Sequence, residues 1–187
     1  LVAHSVAKNG YGVVVLEPGP RFAFELRLER MERALRPDVE RSVWDMGGER
    51  DAYVTSGSTD YDLNALRVKG VGGTTLHWAG FTPRYHEKDF EMQSRYGLAA
   101  DWPISYGDLR PYYAEAERRL GVAGADDNPF APPREESYPL PAFPTGPVDS
   151  LYEEACSNLD IALHSAPRAR NSEAYDGRSK CVGDSTC

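Results

Sequence analysis

A chain of 187 residues, 41% hydrophobic and 11% aromatic, can bury the core of one domain, or of one domain and part of a second. A net charge of −8, with lysine only at Lys8, Lys69, Lys88 and Lys180 and no basic stripe, argues against a nucleic-acid partner. No apolar run reaches the ~18 residues that would read as a membrane-spanning helix, so no transmembrane segment is expected.

Leu1 to Asn9 reads as the body of a helix stopped by Gly10. Tyr11-Gly-Val-Val-Val-Leu-Glu17 follows as a buried, β-branched strand of the parallel-sheet kind. Helix, apolar strand and terminal acid together form the second half of a dinucleotide-binding βαβ unit. The first strand and its Gly-x-Gly-x-x-Gly turn are therefore expected before Leu1, which makes the chain an internal fragment of a Rossmann-like domain. Glu17 stands where such folds place the carboxylate that accepts hydrogen bonds from an adenosine ribose. A solvent-facing Glu at a strand end fits Glu17 taken alone equally well.

Phe24 to Arg36 predicts an amphipathic helix ended by Pro37, its Glu and Arg residues forming a solvated face. Residues 39 to 62 read as irregular, with Trp44 and Tyr53 as anchors, and Asn64 to Lys69 as extended.

The most informative stretch is Gly70-Val-Gly-Gly-Thr-Thr-Leu-His-Trp78. Gly72 and Gly73 permit positive φ and close approach of a ligand. Successive N–H groups in such a turn form a concave anion site suited to a pyrophosphate, with the hydroxyls of Thr74 and Thr75 as further donors. His77 and Trp78 offer a polar edge and a flat aromatic face. A glycine-rich surface turn is the plainer alternative.

Glu87 to Tyr96 predicts a short helix ended by Gly97. Ser105 and Asp108 have the form of a capping box, with Pro111 in the first turn of a helix that ends at Gly121. Tyr106, Tyr112 and Tyr113 are read as core packing. Asp126 to Pro147, rich in proline, predicts a surface connection that is neither helix nor central strand. Val148 to Leu159 reads as helix, Ile161 to Leu163 as a short strand, and Cys156 as a small core residue. His4, His86 and His164 are read as structural or exposed. Cys181 and Cys187, separated by small residues, suit a metal cluster, a disulfide or two thiols.

Four ordered segments carry a family resemblance: Leu-Glu-Pro-Gly-Pro at 16–20, the Gly-Gly-Thr-Thr-Leu-His-Trp loop, Trp-Pro-Ile at 102–104 with Pro-Tyr-Tyr at 111–113, and Tyr-x-Gly-Arg-x-x-Cys at 175–181. Together they resemble the FAD-dependent glucose–methanol–choline (GMC) oxidoreductases, in particular the sugar and gluconate dehydrogenase branch. The resemblance implies an α/β fold, with an incomplete Rossmann-like FAD-binding domain over 1–100 and the beginning of an α+β substrate domain with its cysteine loop over 101–187. It implies oxidation of a CH–OH group of a sugar, sugar acid or polyol, with hydride passing to FAD. Glu17, Gly72, Gly73, Thr74, Thr75, His77 and Trp78 would contact the cofactor, and the catalytic base is expected beyond residue 187. Cys181 and Cys187 would be two ligands of a three-iron (3Fe-4S) cluster, although Asp184 stands where family members often carry a further cysteine. A cytochrome or quinone would accept the electrons, in the cytoplasm or at a periplasmic, partner-anchored site. The alternatives are an NAD-dependent dehydrogenase and a non-catalytic electron-transfer or scaffold subunit.

Overall fold

The computed structural model describes residues 2–34, 36, 56, 58 and 67–182. The expected anchors Trp44 and Tyr53, the helix stop Pro37 and Cys187 lie outside these residues. The chain divides into two compact units, one reaching Trp78 and one starting at Ala79.

In the first unit, helix α1 (Val2–Lys8) ends as its sequence predicts. Gly10 takes φ +84°, and the N–H of Tyr11 returns 3.4 Å to the carbonyl of Val6. The buried strand expected over Tyr11–Glu17 is not formed. That segment is irregular, and Val14, Val15 and Leu16 are 84, 73 and 90% exposed. A parallel strand exists only through ladder bonds to its neighbours, and no strand pairs with this segment among the described residues. The Pro18–Pro20 turn instead packs on the start of the glycine loop. The N–H of Val71 donates to the carbonyl of Pro20 at 3.0 Å, and a Cβ on Gly19 would stand 2.4 Å from the backbone of Lys69. Helix α2 spans Phe24–Ala34, shorter than the expected run to Arg36.

The second unit is built around strand-like segments brought together from distant parts of the chain. Strand β1 (Ala123–Gly124) pairs in parallel with β2 (Leu140–Pro141). Ala123 also exchanges two backbone bonds with Arg168, at 2.8 and 2.9 Å, and Phe81 forms an antiparallel bridge to Arg168. Val122, Ala123, Leu140, Tyr106 and Phe90 are buried here. Pro141 thus lies in a short strand that is not central, within the stretch expected to hold neither helix nor central strand. The ladder is only two residues long and one neighbour wide, so the missing N–H interrupts nothing.

Helix α3 (Met92–Tyr96) follows a short 3-10 helix at Glu87–Phe90, and Glu91 breaks the single helix that was expected. Asp101 caps α3 by accepting from the N–H groups of Gln93 and Ser94 at 2.9 and 3.1 Å. Helix α4 (Tyr106–Leu120) opens on the expected box: Asp108 N–H donates to Ser105 Oγ at 3.2 Å, and Ser105 N–H donates to Asp108 Oδ2 at 2.8 Å. Because this box starts the helix at Tyr106, Pro111 lies beyond the first turn rather than in it, and the carbonyl of Gly107 loses its i+4 donor. Of the three tyrosines expected in the core, Tyr106 is buried and stacks on Tyr113 at 5.9 Å, whereas Tyr112 points to solvent, 70% exposed. Adjacent residues on a helix lie about 100° apart, so one face cannot bury both Tyr112 and Tyr113.

Helix α5 spans Pro147–Asn158, with proline at its first position. Cys156 is only half-buried, and none of the described α5 side chains is fully buried. The strand expected at Ile161–Leu163 is absent, because the N–H of Ile161 closes the helix end on the carbonyl of Cys156 at 2.9 Å.

Candidate functional site

The glycine loop of the first unit is a tight turn followed by a 3-10 helix over Gly73–His77. Gly72 at φ +105° and Gly73 at φ +55° occupy backbone space that side chains disfavour. The turn is not a row of free donors: the N–H of Val71 goes to Pro20, and that of Gly73 to the carbonyl of Gly70 at 2.8 Å. The hydroxyl of Thr75 is also committed, donating to the carbonyl of Gly72. Thr74 is exposed. A Cβ on Gly72 would sit 2.9 Å from Leu76, whereas one on Gly73 would meet only the Val68 carbonyl oxygen at 3.9 Å. Gly72 is therefore required by the packing of the loop itself, and Gly73 keeps an open flank.

His77 and Trp78 close this loop. The Nε2 of His77 is buried and has no hydrogen-bond partner, an arrangement that costs roughly 1–3 kcal/mol while it stays unsatisfied. Trp78 leaves about half its surface to solvent. Glu17 is exposed and uses one carboxylate oxygen to accept the N–H of Gly19 at 2.9 Å, which holds the Pro18–Pro20 turn.

In the second unit the strongest electrostatic feature went unread in the sequence. Arg84 donates from Nε and Nη2 to the two oxygens of Glu117, both at 2.8 Å, and their side chains are 3 and 8% exposed. Arg134 approaches the same carboxylate at 2.8 and 3.0 Å, and Tyr106 accepts from Arg84 at 3.2 Å while donating to the carbonyl of Pro133. Burial works to raise the pKa of Glu117, but the hydrogen bonds from Arg84 and Arg134 outweigh it and hold the carboxyl below its ordinary range. Burial likewise opposes the charge on Arg84, and its bonds to Glu117 and Tyr106 reverse the sign, raising its pKa. The sequence signal was the spacing of Tyr106, Tyr113 and Glu117, which puts them on one face of α4. An open cavity of about 450 Å³ borders this cluster, lined by Arg84, Arg134, Tyr138, His86 and His164 among others.

The segment leading to Cys181 is anchored to the end of α4. Asp176 and Gly177, both at positive φ, make a two-residue turn in which Tyr175 and Arg178 exchange backbone bonds. Arg178 donates to the carbonyls of Leu120 and Arg119 at 3.0 and 3.2 Å, and Tyr175 to that of Arg118 at 2.9 Å. These bonds satisfy the orphan acceptors of a helix C-terminus. The N–H of Cys181 then reaches the carbonyl of Asn171 at 2.8 Å, and Nη2 of Arg170 stands 3.0 Å from Cys181 Sγ. Among the described residues no three His, Cys, Asp or Glu side chains gather as a metal site; Cys187, the other proposed ligand, lies outside them. No described helix is long and apolar enough to cross a membrane.

No family model matches the chain. Its similarity is to oxidoreductases. It is 36% identical over 204 aligned residues to the fructose dehydrogenase large subunit of Gluconobacter japonicus, an alignment covering 100% of this chain and 37% of that protein. It is 32% identical over 185 residues to the 2-methyl-1,2-propanediol dehydrogenase of Mycolicibacterium austroafricanum, covering 89% of this chain and 32% of the relative. The gluconate 2-dehydrogenase flavoprotein of Pantoea cypripedii is 24% identical over 210 residues, with 94% of this chain and 34% of the relative covered. The chain thus spans about a third of the length of the curated relatives it matches.

Proposed function

We propose that the chain is part of an FAD-dependent GMC oxidoreductase of the sugar and sugar-acid dehydrogenase branch, and that the complete enzyme oxidises a CH–OH group of a sugar, sugar acid or polyol. The observation that carries this reading is the buried, partnerless Nε2 of His77, set in a loop whose Gly73 flank is open and whose Trp78 presents an aromatic face. A loop that carries an orphaned polar atom, an open glycine flank and a half-exposed indole suits a bound heteroaromatic group with a polar edge.

In this reading Gly72 and Gly73 admit the cofactor's phosphate or ribityl portion, and His77 and Trp78 bound its ring. The second carboxylate oxygen of Glu17 accepts from the adenosine ribose. Bound FAD would supply the hydride acceptor, while the chain's own residues supply position, polarity and exclusion of water. The residues near 1–100 would then belong to the FAD-binding domain and those from 101 onward to the substrate side. Cys181 and Cys187 would provide two of three thiolates for a 3Fe-4S cluster that relays electrons to a cytochrome or quinone. The Gluconobacter relative is a large subunit, which supports a partnered enzyme. We place it in the cytoplasm or at a periplasmic membrane surface reached through that partner.

The test is the visible spectrum of the purified full-length protein. Flavin bands that bleach on adding a sugar, sugar acid or polyol support the reading. A flavin-free protein that reduces NAD with the same substrates would replace it with the nicotinamide alternative, and a flavin-free protein without turnover would leave a scaffold subunit.

A further inference from the structure

We propose that the cavity of about 450 Å³ in the second unit binds a small, neutral, polyhydroxylated compound, with one ligand hydroxyl seated between Nε of Arg134 and Oδ1 of Asp126. The inference does not rest on the flavin reading, because the cavity is lined by residues from Phe81 to Pro167 of this unit alone. Arg134 is held from two directions. Its Nη1 and Nη2 donate to Glu117 at 3.0 and 2.8 Å, and its guanidinium lies 3.7 Å from the centre of the Tyr138 ring. Nε is buried and has no hydrogen-bond partner. It stands 3.7 Å from Oδ1 of Asp126, too far for a hydrogen bond. Asp126 is itself fixed, because its Oδ2 accepts from the Ser137 hydroxyl at 2.6 Å. A donor and an acceptor are thus locked apart, on two residues that both line the cavity.

A hydroxyl suits this pair, because its oxygen accepts from Nε–H while its hydrogen goes to Oδ1. An anionic ligand would satisfy Arg134 but be repelled by Asp126, and an ammonium would meet the reverse. The other charged side chains of the wall are already paired: Arg84 with Glu117, Glu135 with Arg110, and Glu136 with Arg118. The wall therefore favours a neutral ligand. Asn128 and Ser137 bring further polar groups to the wall, which match several hydroxyls better than one. Phe81, 53% exposed, adds an apolar ring for the C–H face of such a compound. An aromatic wall with a few placed polar groups is the make-up of small-molecule sites, which run to roughly 300–1,000 Å³.

The test is hydrogen–deuterium exchange mass spectrometry on the purified full-length protein titrated with sorbitol, read on peptides covering residues 126–138. Slower exchange confined to the cavity wall is expected, with little effect from acetate at equal concentration. Asp126→Ala removes the acceptor from a half-exposed side chain and should weaken sorbitol binding about tenfold. Ala131→Trp keeps both Arg134 and Asp126, fills the cavity from an exposed position on its wall, and should abolish the protection. No protection of these peptides in wild type overturns the proposal, as does an equal slowing over the whole chain of the kind an excluded osmolyte gives. Sorbitol protection that survives unchanged in both variants, or protection by acetate alone, overturns it as well.

Discussion

The guanidinium of Arg84 closes on the carboxylate of Glu117 through two 2.8 Å bonds that span 33 residues of sequence. Arg134 shares the same acceptor from the proline-rich connection, so three separate parts of the second unit converge on one buried charge. Removing the acceptor alone leaves two cations in a poorly solvated place. Glu117→Ala is expected to cost about 3–5 kcal/mol of folding stability, since breaking a buried pair costs far more than an exposed one. Equilibrium urea denaturation checks it, and a midpoint equal to wild type would refute it.

The same carboxylate makes stability depend on acid. The folded-state pKa of Glu117 lies below its ordinary value of 4.5, so its contribution is fully present above that value and is lost as pH falls through the folded pKa. Thermal unfolding followed from pH 7 down to pH ~3 should show wild type losing stability over the acid end of the range. Glu117→Gln should start less stable and lose less on acidification; parallel curves for the two proteins would remove Glu117 from the explanation.

Gly121 ends α4 at φ +69°, and a Cβ there would stand 2.9 Å from the Tyr175 ring, 3.1 Å from Asn171 and 3.2 Å from Arg178. Gly121→Ala therefore meets both a left-handed backbone, costing about 1–2 kcal/mol, and a crowded hairpin. The expected outcome is a destabilisation of at least that size, with faster proteolysis around residues 175–181 than in wild type. Cleavage at the wild-type rate in that segment would show that the hairpin does not depend on the helix end.

Gly72 and Gly73 both hold positive φ but differ in what a side chain would meet. Gly72→Ala drives a methyl group into Leu76 and should lower the stability of the loop. Gly73→Ala meets no close atom but must hold a left-handed φ of +55°, costing about 1–2 kcal/mol, so it should keep a wild-type far-ultraviolet circular dichroism spectrum while flavin per polypeptide in the full-length protein drops severalfold. Full flavin occupancy in Gly73→Ala would mean that this flank does not face the cofactor.

His77 leaves Nε2 buried and unpartnered rather than bonded within the loop. The flavin is expected to be held there without a covalent bond, so acid precipitation of the full-length protein should leave the yellow colour in the supernatant. Colour that stays with the pellet would point instead to attachment through the protein.

Much of this protein was legible one segment at a time. Gly10, Gly97 and Gly121 end helices where the sequence places them, and the Ser105–Asp108 box starts α4, because caps and stops depend on a few neighbouring residues. The glycine loop was legible for the same reason, down to the positive φ of Gly72 and Gly73. Misreadings arose where the outcome depends on a distant partner. Tyr11–Glu17 has the composition of a strand, but a strand needs a neighbouring ladder, and Ile161 spends its N–H on the end of α5.

What the sequence determined by itself was therefore local: helix ends, turn chemistry, and the positive-φ glycine turn that leads into His77 and Trp78. Tertiary structure alone decided which polar groups are spent and which remain. It committed the Thr75 hydroxyl to Gly72, left Nε2 of His77 without a partner, drew Arg84 and Arg134 onto Glu117, and set Arg170 against Cys181. The physical reason is that hydrogen bonds and ion pairs are satisfied by whatever the folded chain brings within about 3 Å, and periodicity along the sequence carries no record of those long-range meetings.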